Sequence, residues 1–145
     1  MPRPTLVVDA SVAVKWILPE DGHEEAILLQ DQYQDEKIDL IAPTLLAAEV
    51  ANVLWKRARR GDLTPDDAQR CFQGFLRDSP ILMESAAIEA SALGLALAHG
   101  RPVYDCLYLA LALEQRCDLL TADERFFRAM SLTLPCVRLL RPTLT

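Results

Sequence analysis

The chain has 145 residues, a formal net charge of −6, and 51% hydrophobic against 25% charged side chains. This balance is typical of a globular protein and excludes a disordered chain. The length predicts one domain over residues 1–145, with a core large enough to fold without disulfide bonds. Net acidity argues against a protein that coats DNA, but segregated basic patches still allow contact with nucleic acid.

Cysteine spacing and hydropathy limit the class of protein further. The four cysteines form no CxxC pair, which argues against a zinc knuckle or a thioredoxin site. Their apolar neighbours predict reduced packing residues of a cytoplasmic protein. The first apolar run is too short for the core of a signal peptide, and no uncharged run approaches the roughly 18 residues that cross a bilayer. We therefore expect no membrane association.

Short apolar segments alternate with helical segments, a pattern typical of a parallel sheet flanked by helices, so the predicted fold class is α/β. Leu and Ala outnumber Val and Ile, which favours helix over strand. In chain order the predicted elements are a strand over 5–8, a helix capped by Ser11 and ending near Pro19, a helix over 23–36, a strand over 40–42, a helix from Pro43 to Gly61, a helix starting at Thr64, a strand over 81–83, a helix over 86–99, a helix over 104–115, a strand over 118–121, a helix over 123–130 and a strand over 135–139.

Two acidic residues follow predicted strands. Asp9 comes directly after Leu6-Val7-Val8, and Asp123 comes shortly after the strand that ends at Thr121. The carboxyl ends of parallel strands meet at one edge of the sheet, where such folds place their functional sites. Each acid also stands at a helix start, so helix capping is the alternative explanation for each taken alone.

Two further acids lie in apolar helices. Asp105 opens the most apolar helix of the chain, where it could also serve as a cap. Glu49 lies inside an apolar helix, and an acid there is costly unless it is paired or bound to a metal ion. An ion pair with Lys56 or a more exposed helix face is the alternative for Glu49. Asn52 is one turn from Glu49 and can share its face.

Together, Asp9, Glu49, Asp105 and Asp123 predict a metal site. Clustered carboxylates cannot all stay ionised unaided, and a divalent cation resolves their repulsion. Oxygen-only ligands suit Mg²⁺, with Mn²⁺ as a possible substitute, and a phosphate is the usual further ligand of Mg²⁺. The chemistry that follows is hydrolysis of a phosphodiester bond by metal-activated water.

Four segments carry a resemblance to a known family. VVDAS, PTLLAAEVANVL, YDCLYLALA and TADERFF occur in the order and approximate spacing of the PIN-domain family, most closely that of the VapC-type toxins of bacterial toxin–antitoxin pairs. The resemblance implies a three-layer α/β/α sandwich with a short central parallel sheet. It also implies a Mg²⁺-dependent endoribonuclease, a homodimer and a VapB-type antitoxin partner.

The resemblance also assigns roles to residues of this chain. It implies that Asp9, Glu49, Asp105 and Asp123 form the catalytic and metal-binding site, that Ser11 and Thr121 supply supporting hydroxyls, and that Asn52 supplies a supporting amide.

Basic and apolar surfaces predict the partners. RNA should contact a basic rim rather than the whole acidic surface, with Lys15, Lys56 and Arg125 as candidates. Apolar residues crowd more than one face of the helices around Trp16 and Trp55, which predicts a homodimer and a groove for the antitoxin.

Other acid-rich α/β proteins fit less well. A phosphorelay receiver domain needs adjacent acids after the first strand, but Ala10 follows Asp9. A phosphatase with an Asp nucleophile needs a second acid at the position of Ser11. A non-catalytic binding module of the same fold stays open, as does a housekeeping nuclease that processes RNA or cleaves DNA.

Overall fold

The computed structural model describes residues 2–141. Its elements, in chain order, are β1 (Thr5–Val8), α1 (Ala10–Ile17), α2 (His23–Gln34), β2 (Asp39–Pro43), α3 (Leu45–Arg59), α4 (Pro65–Arg77), β3 (Ile81–Met83), α5 (Ala86–His99), α6 (Val103–Gln115), β4 (Asp118–Thr121), α7 (Glu124–Met130) and β5 (Val137–Leu139). The predicted α/β fold with a central parallel sheet is confirmed.

The five strands form one parallel sheet in the order β3-β2-β1-β4-β5. Val7 lies opposite Ile41 on one side and Leu119 on the other, so β1 is the central strand. From β1 the chain moves outward through β2 to β3, then crosses back to β4 and β5. The direction of winding therefore reverses between β1 and β4, which is where an open α/β sheet forms a crevice for ligands.

Two helical layers cover the sheet. Helices α1 to α4 pack against one another, with α1 contacting α2, α3 and α4. On the return crossover α5 packs against α6, and α6 lies on β1, β2 and β4. Six residues of α6 are buried, from Cys106 to Ala112, which confirms the predicted burial of this apolar helix. Its position carries Asp105 to the edge where β1 and β4 end.

Some predicted element boundaries were wrong, for local reasons. Asp9, rather than Ser11, caps α1, because its carboxylate accepts the N–H of Val12. Pro43 closes β2 instead of opening α3, whose first residue is Leu45. Proline is acceptable there because the fixed φ of its ring suits an extended strand end as well as a first helical turn.

The predicted α1 surface is also corrected. Trp16 and Leu18 are buried, and the indole N–H of Trp16 donates to the carbonyl of Ala26 in α2 at 2.8 Å. Trp16 and Leu18 therefore pack inside the domain rather than on an exposed apolar face. The four cysteines are free thiols. Along residues 2–141 no helix is both long and apolar enough to cross a bilayer.

Candidate active site

Asp9 lies at the carboxyl end of β1 and is held by the fold itself. Its Oδ1 accepts a hydrogen bond from the Ser11 hydroxyl at 2.5 Å and a longer one from the Val12 N–H at 3.3 Å. Its Oδ2 accepts a hydrogen bond from Thr121 Oγ1 at 2.5 Å. Both carboxylate oxygens are thus oriented by groups from the ends of two adjacent strands.

Ser11 and Thr121 tie the end of β1 to the end of β4. Their hydroxyl oxygens lie 3.3 Å apart, and Ser11 Oγ accepts the N–H of Ala122 at 2.8 Å. Thr121 is fully buried, and its hydroxyl also accepts the N–H of Asp123 at 3.1 Å. The structure therefore brings both predicted hydroxyls against Asp9, while their supporting role in catalysis stays a prediction.

Asp123 caps α7 beside this network. Its Oδ1 accepts the N–H of Phe126 at 3.1 Å. Asp123 therefore does cap a helix, as the alternative explanation for this acid expected, but with only one of its two carboxylate oxygens. The residue is otherwise exposed at the edge of the sheet. A cap uses one carboxylate oxygen, and the second is left for another ligand.

Glu49 is held from the opposite helical layer. It lies in the second turn of α3, and Tyr108 of α6 donates its hydroxyl to Glu49 Oε1 at 2.5 Å. Tyr108 is only 3% exposed, so its ring has little freedom to move. Lys56, the alternative partner, is exposed and forms no ion pair with Glu49 in the described chain, where Tyr108 is the partner instead.

Asp105 lies in the first turn of α6, and Pro102 rather than Asp105 is the N-cap. Within residues 2–141 its carboxylate accepts no hydrogen bond, in contrast to Asp9 and Glu49. The guanidinium of Arg101 lies near enough to act on Asp105 electrostatically. Asp105 is therefore the least constrained of the acids.

The four acids line one pocket of about 150 Å³. Its complete lining is Asp9, Ala10, Ser11, Glu49, Asp105, Tyr108, Asp123 and Phe126. The strand ends, α3, the start of α6 and the start of α7 each contribute, and the pocket lies at the point where the winding of the sheet reverses. Acids from four separate stretches of sequence thus face one small space.

Burial raises the pKa of three of the carboxyls, and neighbouring negative charges add to the rise at Glu49 and Asp105. Burial raises the pKa of Asp9, opposed by the hydrogen bonds from Ser11 and Thr121. Burial raises the pKa of Glu49, and the charges of Asp105 and Asp9 raise it further.

Burial likewise raises the pKa of Asp105. The charge of Arg101 opposes this rise and that of Asp123 adds to it. A cation in the pocket would offset both the cost of burying these negative charges and the repulsion between them.

The pocket is not already a closed ligand cage. Over the described residues, no three His, Cys, Asp or Glu side chains are gathered as a ready metal-ligand set. The acids share one lining instead, and Asp105 and Asp123 have carboxylate oxygens that no described residue occupies.

Several predicted residues lie outside this pocket. Asn52 is exposed on α3 and does not line it. Lys15 pairs with Glu20 at 3.2 Å and donates to the carbonyl of Asp21 at 2.6 Å. Lys56 and Arg125 are exposed. The roles assigned to these four residues stay predictions.

Sequence reasoning missed Tyr108 and Phe126 as residues of the site. Both are aromatic residues in predicted helices and lie within the segments that carry the family resemblance, but neither was assigned a role at the site. A signal for Tyr108 was present: it lies three residues after Asp105, so the two share one face of α6. Its hydroxyl also requires a partner when buried, and Glu49 supplies it.

Comparison with known proteins agrees with this geometry. The family model described as PIN domain matches residues 6–131, so the chain belongs to the PIN-domain family. Within that family it is similar to Ribonuclease VapC3 of Pyrobaculum aerophilum, with 39% identity over 122 residues that cover 83% of this chain and 90% of that protein. The predicted resemblance to the VapC type is confirmed.

Solved structures share the fold. The crystal structure of PAE2754 from Pyrobaculum aerophilum superposes with a TM-score of 0.70 at 22% identity, covering 96% of this chain and 92% of that one. A toxin–antitoxin complex from Klebsiella pneumoniae gives a TM-score of 0.64 at 18% identity, covering 92% and 95%. At these identities the two structures support the fold alone.

Proposed function

We propose that this protein is a Mg²⁺-dependent endoribonuclease and the toxin of a toxin–antitoxin pair. One observation carries the proposal: Asp9, Glu49, Asp105 and Asp123 line a single pocket at the switch point of a parallel sheet. The name of the 39% identical relative, Ribonuclease VapC3, supports RNA as the substrate. The single-domain nuclease over residues 1–145 and its cytoplasmic location are part of the same proposal.

The pocket fits a small, hard divalent cation. The polar side chains of its lining carry oxygen atoms alone, from four carboxylates and the hydroxyls of Ser11 and Tyr108, and oxygen ligands suit Mg²⁺ or Mn²⁺. Raised pKa values for three of the carboxyls indicate that negative charge there lacks compensation. Asp9, Glu49, Asp105 and Asp123 would hold the ion, which would supply an activated water and neutralise charge on the departing oxygen.

The protein's own residues set the geometry of hydrolysis. Ser11 and Thr121 hold Asp9 in one orientation, and Tyr108 holds Glu49 through Oε1. Glu49 Oε2 remains able to take the proton of the attacking water. The oxygen of that water bonds to phosphorus, one P–O bond to a ribose oxygen breaks, and the released ribose oxygen takes up a proton.

An apolar groove offers a place for the antitoxin. It lies between α3 and α4, measures about 650 Å³, and is lined by Ala51, Leu54, Trp55, Ala58, Arg59, Pro65, Ala68, Gln69 and Phe72. Trp55 is 54% exposed in it, as predicted from the crowding of apolar residues on α3. We infer that an apolar helix of a VapB-type antitoxin binds here, since such helices commonly dock in apolar grooves.

The homodimer is predicted from the apolar faces around Trp16 and Trp55. Because Trp16 is buried and we assign the groove at Trp55 to the antitoxin, we place the dimer contact on another surface. Leu93 and Leu97 of α5 are exposed, and Leu97 is 77% exposed. A second copy covering this face would bury both. Measurement of molar mass in solution at tens of micromolar tests the claim, and Leu97→Glu should shift the protein towards monomer. A monomeric wild type would remove the dimer from the proposal.

Cleavage assays with and without Mg²⁺ test the proposed activity. The purified protein should cut single-stranded RNA in Mg²⁺, leave DNA of the same sequence intact, and lose activity in excess EDTA. Co-expression with the product of the neighbouring gene should yield a complex that does not cut RNA. Cleavage that persists in EDTA would contradict the metal, and cleavage of DNA alone would favour the DNA-cleaving alternative.

A further inference from the structure

Arg101 lies beside the acidic pocket without being part of its lining. It precedes α6 by two residues, and α6 carries Asp105 in its first turn. The guanidinium carbon of Arg101 lies 5.6 Å from the centre of the Phe126 ring, and Phe126 lines the pocket. Contact with this buried ring places the guanidinium at the rim, between the starts of α6 and α7.

The guanidinium is not neutralised by the acids near it. In the described part of the chain, Arg101 forms no ion pair, whereas Lys15 and Arg57 both pair with Glu20. The buried Nε of Arg101 has no hydrogen-bond partner there either. A buried donor without a partner costs free energy, and arginine next to clustered carboxylates commonly pairs with one of them. The guanidinium therefore packs on Phe126 without a carboxylate partner among the described residues.

Arg101 nevertheless lies close to the pocket. It precedes Asp105 by four residues, and its guanidinium packs on Phe126, which lines the pocket together with Asp105. The other basic residues considered for RNA contact are placed less well. Lys15 is occupied by Glu20, and among the described residues neither Lys56 nor Arg125 stacks on an aromatic ring of the pocket lining.

We propose that Arg101 binds a phosphate group of the RNA backbone next to the acidic pocket. This proposal rests on the proposed function and names a contact to the substrate. A planar guanidinium with several N–H donors suits phosphate oxygens, and stacking on a ring fixes its plane. The contact would place the scissile linkage over carboxylates that would otherwise repel the RNA.

Binding of labelled single-stranded RNA over a range of salt concentrations tests the proposal. The Asp9→Asn background in Mg²⁺ prevents cleavage during the measurement. Adding Arg101→Gln should weaken binding by about tenfold or more, the scale of one lost hydrogen bond to a charged group. The slope of log Kd against log salt should fall by about 0.7, the value for one phosphate of a single strand.

Arg141→Gln is the matched control. Arg141 packs on the ring of Phe127 at 5.8 Å in the same manner as Arg101 on Phe126, but it lines a separate surface pocket with Glu124 and Arg128. Its removal should leave affinity and salt slope unchanged. If Arg101→Gln does not fold, Arg101→Met keeps the apolar stem over Phe126 and gives the same test.

RNA with one uncharged backbone linkage distinguishes a contact to phosphate from stacking on a base. RNA with a single methylphosphonate should bind the Asp9→Asn protein more weakly when the neutral linkage faces Arg101, and Arg101→Gln should abolish that sensitivity. If the wild type cleaves RNA but the Arg101 variants keep the salt slope of their parent, the Arg101 contact is overturned and the proposed function is not. Absence of both RNA cleavage and RNA binding in the parent proteins would overturn the proposed function as well.

Discussion

At one end of the acidic pocket, both carboxylate oxygens of Asp9 accept hydrogen bonds from hydroxyls at two strand ends; at the other end, Asp105 accepts none within residues 2–141. Asp9 is therefore oriented by the fold, while Asp105 takes its orientation from whatever enters the pocket. The comparison separates two contributions to one site. The Asp9 end couples activity to stability, and the Asp105 end contributes to activity without supporting the fold.

Asp105→Asn should have the largest effect on cleavage and a small one on folding. Loss of its charge should slow RNA cleavage by about 100-fold or more, the scale for removing one electrostatic contact to a reacting group. Thermal unfolding should change little, because Asp105 makes no hydrogen bond that the amide would break. Asp31→Asn, on the exposed face of α2, is the control. A large loss of stability in Asp105→Asn would mean that Asp105 supports the fold as Asp9 does, which would contradict the comparison.

Thr121→Val tests the Asp9 end with nearly unchanged side-chain shape. It removes the donor to Asp9 Oδ2 and the acceptor for the N–H of Asp123. Cleavage should fall by about 10- to 100-fold, as for other groups that orient a metal ligand. The free energy of unfolding should fall by about 1–3 kcal/mol, because buried polar groups lose their hydrogen-bond partners.

The control for this substitution is Thr133→Val. The Thr133 hydroxyl donates to the carbonyl of Met130 at 3.4 Å, away from the pocket. It should behave as the wild type in denaturation and in cleavage. Equal stability of Thr121→Val and wild type would show that the hydroxyl network does not support the fold.

Tyr108→Phe should have an intermediate effect, because it removes only the hydroxyl that holds Glu49. Affinity for Mn²⁺, measured by electron paramagnetic resonance of the free ion, should fall by about tenfold. Tyr33→Phe is the control, since its hydroxyl donates to the Ser79 carbonyl far from the acids. If Tyr108→Phe binds Mn²⁺ with wild-type affinity, the Tyr108 hydroxyl does not position Glu49 for the metal ion.

The smallest expected effect is on the pH dependence of stability in chelator. Asp9, Glu49 and Asp105 have pKa values raised above 3.8, 4.5 and 3.8, so the folded state binds more protons than the unfolded state. Their contribution to stability is full below these values and is lost as pH rises through the raised pKa. Glu49→Gln should therefore unfold about 1–3 °C higher than wild type near neutral pH and lose that advantage in acid.

The control for this titration is Glu89→Gln, an exposed position on α5. Its melting temperature should follow the wild type at every pH. A Glu49→Gln protein that is less stable than wild type near neutral pH would mean that the Glu49 charge supports the fold.

Much of the fold could be predicted from the sequence because its signals are local. Ile81–Met83, Ala86–His99 and Asp118–Thr121 begin and end at the predicted residues. Ser85 and Gly100 are the caps of α5, and such caps can be recognised without knowledge of the tertiary structure. The placement of Asp9 and Asp123 at one sheet edge followed from the strand ends.

The remaining features depend on contacts distant in sequence. The Tyr108 hydroxyl meets Glu49 across 59 positions, and Thr121 meets Asp9 across 112. Hydropathy around Tyr108 indicates only a buried helix. Lys15 shows the same limit, because its pairing with Glu20 depends on how the loop after α1 folds back. Long-range polar contacts of this kind are not encoded in a local pattern.

Direct titration with Mn²⁺ tests the central claim, that the four acids act as one cation site. Wild type and Asp31→Asn should bind Mn²⁺ with the same affinity, and Mg²⁺ should compete. Asp105→Asn should bind Mn²⁺ at least about tenfold more weakly while remaining folded. Equal Mn²⁺ affinity in Asp105→Asn and wild type would contradict the account.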